Sequence, residues 1–214
     1  MHHCNKEFPP APDGDFVVHI VDDEPNVLQS LRRLLSRAGY ETQLHHSAVE
    51  FLAAYDGSPS CLILDLKMPG MRGEKLVSHI LQNNLNLVLL ILTGHATVRS
   101  AVYLMKAGAF DVIEKPFDNS LLLETVHRMT RKARQIFAQR ALSDDFRARM
   151  ESLTKREGEV FNLLLAGLSS AEIGKQLDLS KKTIDIHRSR VMDKMGTASV
   201  AELIVNWTTL IQSD

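Results

Sequence analysis

The chain has 214 residues, of which 44% are hydrophobic and 24% are charged. This length is more than a typical compact domain needs and suits two domains, each with its own core. The formal net charge at pH 7 is −1, so a contact with nucleic acid must come from a local basic patch. The two cysteines form no disulfide framework or metal-binding spacing, which predicts a reducing, cytoplasmic location. The longest apolar runs, such as residues 87–92, are far too short to cross a bilayer, and no membrane contact is expected.

Residues 1–15 differ in composition from the rest of the chain. They contain three prolines and lack the apolar stretch that a signal peptide needs. We therefore expect a disordered N-terminal extension, and the first domain begins at residue 16.

Strand and helix patterns alternate in the first half of the chain. Apolar and β-rich runs predict strands at residues 16–21, 42–46, 61–65, 87–92 and 110–113. Apolar residues at helical spacing predict helices at residues 25–38, 47–55, 73–83, 96–107 and 119 to about 139. The economical arrangement is an α/β domain, doubly wound and flavodoxin-like (βα)5, with a parallel sheet in the order 2-1-3-4-5.

Polar residues stand at four of the predicted strand ends. They are Asp22 and Asp23 after the first strand, Asp65 at the end of the third, Thr93 after the fourth and Lys115 after the fifth. In this topology the four ends meet at one edge of the sheet. Three carboxylates repel each other unless a cation lies between them, and an oxygen-only cluster suits Mg²⁺. A lysine and a hydroxyl beside such a metal can stabilise a transferring phosphoryl group, with Asp65 as the nucleophile.

The last helix of the first half becomes basic and loses its apolar stripe, which is typical of a connector. Ser143, Asp144 and Asp145 predict a break in it, and the domain boundary is expected between residues 140 and 152. Beyond that point only helical patterns occur, at residues 155–166, 170–177, 181–195 and 201–211.

Two short helices around a tight turn, within a four-helix unit, predict a helix-turn-helix. Ser170 and Ser180 are the expected N-caps of its two helices. In the second of these helices, Ile184, Val191 and Met195 fall within a narrow arc and should face the core. The opposite side carries Lys182, Asp185, Ile186, Ser189 and Arg190. Basic residues concentrate on this helix, which indicates a reader of DNA phosphates and bases.

Five segments of the first half resemble the receiver domain of bacterial two-component response regulators. They read VDDE at 21–24, LDLKMPGM at 64–71, TGHA at 93–96, KAGA at 106–109 and EKPF at 114–117. The resemblance covers about residues 16–131. It implies that Asp65 takes a phosphoryl group from a sensor histidine kinase and becomes an aspartyl phosphate.

The same resemblance implies a role for each residue at the strand ends. Asp23, Asp65 and the backbone carbonyl of Lys67 would ligate Mg²⁺ (or Mn²⁺) directly, while Asp22 would act through water. Thr93 and Lys115 would contact the phosphoryl oxygens.

One position departs from the receiver pattern. Receivers of this kind usually carry an aromatic switch residue three positions before the lysine, and this chain has Val112 there. The coupling of the phosphoryl site to the rest of the domain would then pass through another residue, with Phe110 and Tyr103 as the candidates.

Six segments of the second half resemble the LuxR/FixJ (NarL-like) DNA-binding domain, over about residues 147–214. They read LTKRE at 153–157, GLS at 167–169, EIG at 172–174, LSKKTI at 179–184, HR at 187–188 and KMG at 194–196. The resemblance implies a dimer that binds promoter DNA through a helix-turn-helix at about Ala171 to Arg190. The implied DNA-binding residues are Lys181, Lys182, Thr183, Asp185, Ile186, Ser189, Arg190 and Lys194.

These observations predict a receiver at residues 16–131, a helical linker at 132–151 and a helix-turn-helix domain at 152–214. The predicted function is a phosphorylation-controlled transcription factor, an activator, which dimerises when phosphorylated and has RNA polymerase as a further partner. It is not expected to be an enzyme, apart from Mg²⁺-dependent phosphorylation and dephosphorylation of its own Asp65.

Two alternatives remain open from the sequence. A phosphatase of the haloacid dehalogenase type also uses an aspartyl nucleophile, but it needs a second Asp two residues later, where this chain has Lys67. A DNA-binding regulator with a purely structural receiver is disfavoured by the intact strand-end residues, although Val112 leaves it possible.

Overall fold

A computed structural model describes residues 16–69, 73–94 and 97–213, without the side chains of 210–213. The predicted extension at residues 1–15 lies outside the described residues, as do parts of the receiver-like segments at 64–71 and 93–96. The chain divides into two compact units between Phe137 and Ala138.

The first unit contains a parallel five-stranded sheet in the order β2-β1-β3-β4-β5. Its strands are β1 (Val18–Val21), β2 (Thr42–His45), β3 (Ser60–Asp65), β4 (Leu87–Thr93) and β5 (Asp111–Glu114). This order confirms the flavodoxin-like fold expected from the sequence. The strand bounds differ from the predicted ones by one or two residues.

Five helices follow the strands in alternation among the described residues. They are α1 (Pro25–Arg37), α2 (Ala48–Ala54), α3 (Gly73–Gln82), α4 (Val98–Lys106) and α5 (Asn119–Glu151). α1 and α5 pack on one face of the sheet, where Leu28 and Val126 are fully buried. α2, α3 and α4 pack on the other face, around Phe51 and Leu76. Because both faces are covered, β3 and β4 carry continuous apolar runs.

The predicted break in α5 at residues 143–145 is wrong, since the helix continues to Glu151. Phe146 and Ser143 are buried in this part of the helix, so its apolar contacts continue past the predicted end. Two ion pairs within the helix also support it, from Arg147 to Asp144 at 3.4 Å and from Arg149 to Asp145 at 2.8 Å. Serine and aspartate lower helix propensity only slightly, and these contacts outweigh that preference.

The second unit is helical. After the end of α5 it contains α6 (Lys155–Leu165), α7 (Ser170–Leu177), α8 (Lys181–Met195) and α9 (Val200–Ser213). Ile184, Val191 and Met195 are buried in its core, which confirms the predicted inner side of α8. The N-cap of α7 is Ser169 and not the predicted Ser170, because the Ser169 side chain accepts from the amide of Glu172 and Glu172 completes a capping box.

Two buried histidines contact each other on neighbouring strands. Nδ1 of His19 in β1 lies 3.0 Å from Nε2 of His45 in β2, and both rings pack against Phe51. Burial, with the neighbouring His45 as a smaller cause, lowers the pKa of His19 to about 4, and burial also lowers the pKa of His45. A pair of protonated rings at this distance would place two donors face to face, so folding favours at least one neutral ring.

α3 begins directly against the end of β3, at a glycine. A Cβ on Gly73 would lie 2.6 Å from Cα of Leu66 and 2.7 Å from the carbonyl oxygen of Asp65. The start of α3 can therefore pack this closely on the end of β3 only because Gly73 has no side chain.

We expect Gly73→Ala to lower the free energy of unfolding of the first unit by roughly 2 kcal/mol, because the added methyl group meets backbone atoms that cannot move away. Urea unfolding measures this change. Gly158→Ala in α6, measured on the unfolding of the second unit, is the control, since a Cβ on Gly158 would meet no described atom within 4 Å beyond its chain neighbours and the nearby backbone of its own helix. The control should be neutral or stabilising by up to about 1 kcal/mol, and equal effects of the two substitutions would contradict the packing account.

The histidine contact predicts a pH dependence of stability. His19 has a pKa of about 4 in the folded chain and 6.5 ordinarily, so the unfolded chain binds more protons between these values. The contribution of His19 to the free energy of unfolding is fully present above its ordinary pKa. It falls as the pH drops through this window, by about 2 kcal/mol near pH 5. Urea unfolding above the ordinary pKa and near pH 5 measures this change, with His19→Phe as the comparison. An identical pH dependence in the variant would contradict the assignment to His19.

Candidate functional site

Three aspartates meet at the carboxyl edge of the sheet. Asp22 follows β1 and Asp65 ends β3, and both are buried, with exposures of 1% and 5%. Asp23 is half-buried beside them. One oxygen from each carboxylate lies within 4.8 Å of the others. The sheet order brings β1 and β3 side by side, so the predicted meeting of these residues is observed.

Backbone amides orient the two buried carboxylates. Oδ1 of Asp22 accepts from the amide of Glu24 at 2.9 Å, and Oδ1 of Asp65 accepts from the amide of Lys67 at 3.2 Å. The amide of Asp22 itself donates to the carbonyl of His45 at 3.2 Å. The amides of Glu24 and Lys67 thus occupy Oδ1 of each carboxylate, and Oδ2 of each faces the cluster.

Lys115 joins the same cluster from the end of β5. Its Nζ donates to Oδ2 of Asp22 at 2.7 Å and to Oδ2 of Asp65 at 2.9 Å. Burial opposes the charge of the ammonium, but hydrogen bonds and the negative charges of Asp22 and Asp65 outweigh burial and raise the pKa of Lys115. Lys115 therefore stays protonated and offsets part of the repulsion between the carboxylates.

Thr93 lies at the end of β4 and is 3% exposed. The carbonyl of Thr93 accepts from the amide of Lys115 at 2.8 Å, so the two residues stand on neighbouring strand ends. The predicted set of strand-end residues is thus brought to one edge of the sheet.

The cluster fits a hard divalent cation. Its donors are carboxylate oxygens, which Mg²⁺ prefers, and three carboxylates against one ammonium leave an excess of negative charge. Partly buried acids in this arrangement are costly without a counter-charge. The side chain of Lys67 is exposed.

Val112, which stands at the usual switch position, and Phe110 and Tyr103, the candidates to replace the switch, lie in different places. Val112 is half-buried and packs with the core under α2, α3 and α4. Phe110 packs with the core on the other face of the sheet, under α1 and α5. The guanidinium of Arg128 lies 5.9 Å from the centroid of the Phe110 ring. Tyr103 on α4 is 68% exposed.

The predicted DNA-reading side of α8 is exposed. Lys182, Asp185, Ile186, Ser189 and Arg190 all lie on the surface, and Lys181 precedes them at the first helical position. Ile186 is 48% exposed, so its side chain has no place in the core.

Two other residues implied in DNA binding have partners within the protein. The hydroxyl of Thr183 lies 2.8 Å from that of Ser180, the N-cap of α8. The ammonium of Lys194 donates to Glu157 and to the carbonyl of Ser152. The structure therefore separates Thr183 and Lys194 from the exposed set.

Sequence reasoning missed the packing role of Gly174. A Cβ on Gly174 in α7 would lie 2.7 Å from the carbonyl oxygen of Leu179, in the turn before α8. Asp178 closes α7 in the left-handed region with φ 54°. The signal in the sequence was a glycine inside a helical pattern, which often marks a close approach of another backbone.

Comparison with protein families gives two matches that follow the two units. The family model described as response regulator receiver domain matches residues 18–127. The family model described as bacterial regulatory proteins, luxR family, matches residues 151–206. The chain belongs to the response regulators that carry a LuxR-type helix-turn-helix domain. This response regulator is therefore a two-component protein that regulates transcription, as the sequence predicted.

Relatives of this response regulator match it over most of its length. The transcriptional regulatory protein FixJ of Rhizobium meliloti (strain 1021) is 39% identical over 191 residues, which are 89% of this chain and 94% of FixJ. The solved structure of the response regulator StyR has a TM-score of 0.80 at 30% identity, covering 90% of this chain and 98% of StyR. Full-length FixJ from B. japonicum has a TM-score of 0.55 at 35% identity, covering 92% and 98%.

Within residues 16–69, 73–94 and 97–213, no helix of this response regulator combines the length and apolar character that a membrane span requires.

Proposed function

We propose that Asp65 is the phosphoacceptor of this response regulator. A carboxylate oxygen of Asp65 attacks the phosphorus of a phosphohistidine on a sensor histidine kinase, the phosphorus–nitrogen bond breaks, and the electron pair leaves with the imidazole. The product is an aspartyl phosphate. The observation that carries this proposal is the contact of one ammonium, Lys115, with both Asp22 and Asp65 at the sheet edge.

Asp22, Asp23, Asp65 and the backbone carbonyl of Lys67 are the groups that would hold Mg²⁺ or Mn²⁺ at this edge. A divalent ion bound there supplies positive charge to the oxygens of the transferring phosphoryl group. Lys115 supplies a second positive charge from the end of β5 at the same edge, and its raised pKa keeps that charge in place.

Phosphorylation changes the partners of Lys115 and Thr93. Once Asp65 carries a phosphoryl group, the ammonium of Lys115 contacts a phosphoryl oxygen in place of the free carboxylate, and the hydroxyl of Thr93 donates to another. Both residues lie at ends of neighbouring strands, so these new contacts favour one of two arrangements of β4, β5 and α4.

The favoured arrangement promotes a homodimer that binds promoter DNA. The exposed side of α8 supports this proposal, because it combines exposed cations with Ile186, a side chain that suits a thymine methyl group in the major groove. Two copies of α8 would read paired half-sites, and activation would involve RNA polymerase. Base contacts would come from Lys182, Asp185, Ile186, Ser189 and Arg190.

The protein acts on its own Asp65 and turns over no outside substrate. A phosphatase that uses an aspartyl nucleophile needs a general acid two residues later, and the side chain there is that of Lys67, which is exposed. A purely structural receiver is the second candidate, because Val112 stands in place of the usual aromatic switch residue and is half-buried against the core.

The cluster predicts how Lys115 affects metal binding. We expect Lys115→Met to strengthen Mg²⁺ binding by roughly tenfold, because the ammonium repels the cation and occupies oxygens of Asp22 and Asp65. Isothermal titration calorimetry measures the affinity, with the exposed Lys106→Met as the control. Weaker binding in Lys115→Met than in this control would show that the ammonium helps to form the metal site.

The experiment that tests the function compares wild type with Asp65→Asn, each with and without Mg²⁺ and beryllofluoride. Sedimentation measures dimerisation, and fluorescence anisotropy measures binding to promoter DNA. We expect only wild type to dimerise and to gain DNA affinity, by about tenfold or more, and the exposed Glu41→Gln to behave as wild type. Equal behaviour of wild type and Asp65→Asn under all conditions would favour the structural receiver.

A further inference from the structure

The first turn of α6 contacts both helices of the helix-turn-helix. Two adjacent residues make these contacts. Nη2 of Arg156 donates to the carbonyl of Leu177, the last residue of α7, at 2.8 Å. Oε2 of Glu157 accepts from Nζ of Lys194, in the last turn of α8, at 2.7 Å. One short stretch of backbone therefore fixes the end of α7 and the far end of α8 with respect to each other.

Glu157 is held rigidly in this position. Its residue is 4% exposed, and the same Oε2 also accepts from the amide of Thr154 at 2.9 Å as part of a capping box. The hydrogen bond from Lys194 is the largest cause that lowers the pKa of Glu157, to about 2. The carboxylate is thus ionised throughout the neutral range, and it has a fixed place at the N-terminus of α6.

Lys194 is directed toward α6 by its contacts. Helical phase places it one turn beyond Arg190, on the edge of the exposed side of α8. Its ammonium instead donates to Glu157 at 2.7 Å and to the carbonyl of Ser152 at 2.9 Å. To reach a DNA phosphate, it would have to leave a nearly buried carboxylate with the amide of Thr154 but without its cationic partner, which is unfavourable.

We propose that Glu157 and Lys194 are positioning residues for the DNA-reading helix and that Lys194 makes no phosphate contact. This assignment rests on the proposed DNA-reading function of α8. Base contacts require α8 at a fixed angle and depth in the groove, whereas the attraction of exposed cations to phosphates tolerates a displaced helix. The pair therefore supports sequence discrimination more than affinity for DNA in general.

The test uses the full chain with Mg²⁺ and beryllofluoride. The DNA probes are a duplex enriched from a random-sequence library with the wild-type protein and a scrambled duplex of equal length. Lys194→Met and Glu157→Gln are the variants, and Glu157→Gln retains an acceptor for the capping box. Lys182→Met is the control for a true phosphate or base contact, because Lys182 lies on the exposed side of α8. Affinities are measured over a series of salt concentrations.

We expect Lys194→Met and Glu157→Gln each to weaken binding to the enriched duplex by roughly tenfold. Binding to the scrambled duplex should change by less than about twofold, and the dependence of log K on log salt should keep the wild-type slope, since no phosphate contact is lost. The double variant should lose no more than either single variant, because the two residues act as a unit. Lys182→Met should reduce the slope by about 0.9 if it contacts a phosphate.

A slope reduced by about 0.9 in Lys194→Met, with wild-type discrimination in Glu157→Gln, would overturn the proposal and make Lys194 a phosphate contact. If circular dichroism shows that Lys194→Met does not fold, Lys194→Gln replaces it, because its amide still donates to Glu157 while its charge is absent. Failure of the proposed function is a different result. In that case the wild-type chain would enrich no duplex from the library.

Discussion

The ammonium of Lys115 between Asp22 and Asp65 is the contact on which the first unit depends. Two nearly buried carboxylates at one sheet edge repel each other, and a cation between them offsets that cost. The sheet order brings these three residues together. β1 and β3 are neighbours, and β4 alone separates β3 from β5, whose end carries Lys115. The same groups are the ones that we propose to hold a metal ion and to accept a phosphoryl group. On that proposal, stability and function depend on one charge balance.

The second unit has a comparable constraint at α8. Ser180 caps its N-terminus, Gly174 allows the preceding helix to approach the turn, and Lys194 ties its last turn to Glu157. Nη1 of Arg149, near the end of α5, also donates to the carbonyl of Met195 at 3.2 Å. The proposed reading of bases by α8 requires a helix that is held at both ends, and these polar contacts hold it there in addition to the buried Ile184, Val191 and Met195.

Much of the fold followed from the sequence because its signals are local. Continuous apolar strands that end in polar residues alternate with helical patterns. This alternation predicted the sheet order and the strand-end cluster around Asp65 correctly. The sequence misjudged α5 at Ser143, because the burial of Phe146 depends on tertiary contacts. It also could not show that Lys194 faces Glu157, since helical phase locates a Cα but not the partner of a long flexible side chain.

The measurement that tests the central claim most directly locates the phosphoryl group. The chain is incubated with Mg²⁺ and a small phosphodonor and then reduced with borohydride, which converts an aspartyl phosphate to homoserine. Peptide mass spectrometry then finds the converted position. The account predicts conversion at Asp65 alone, with Asp56 on the same tryptic peptide unchanged, and none without Mg²⁺. Conversion at Asp22 or Asp23, or none under any condition, would contradict it.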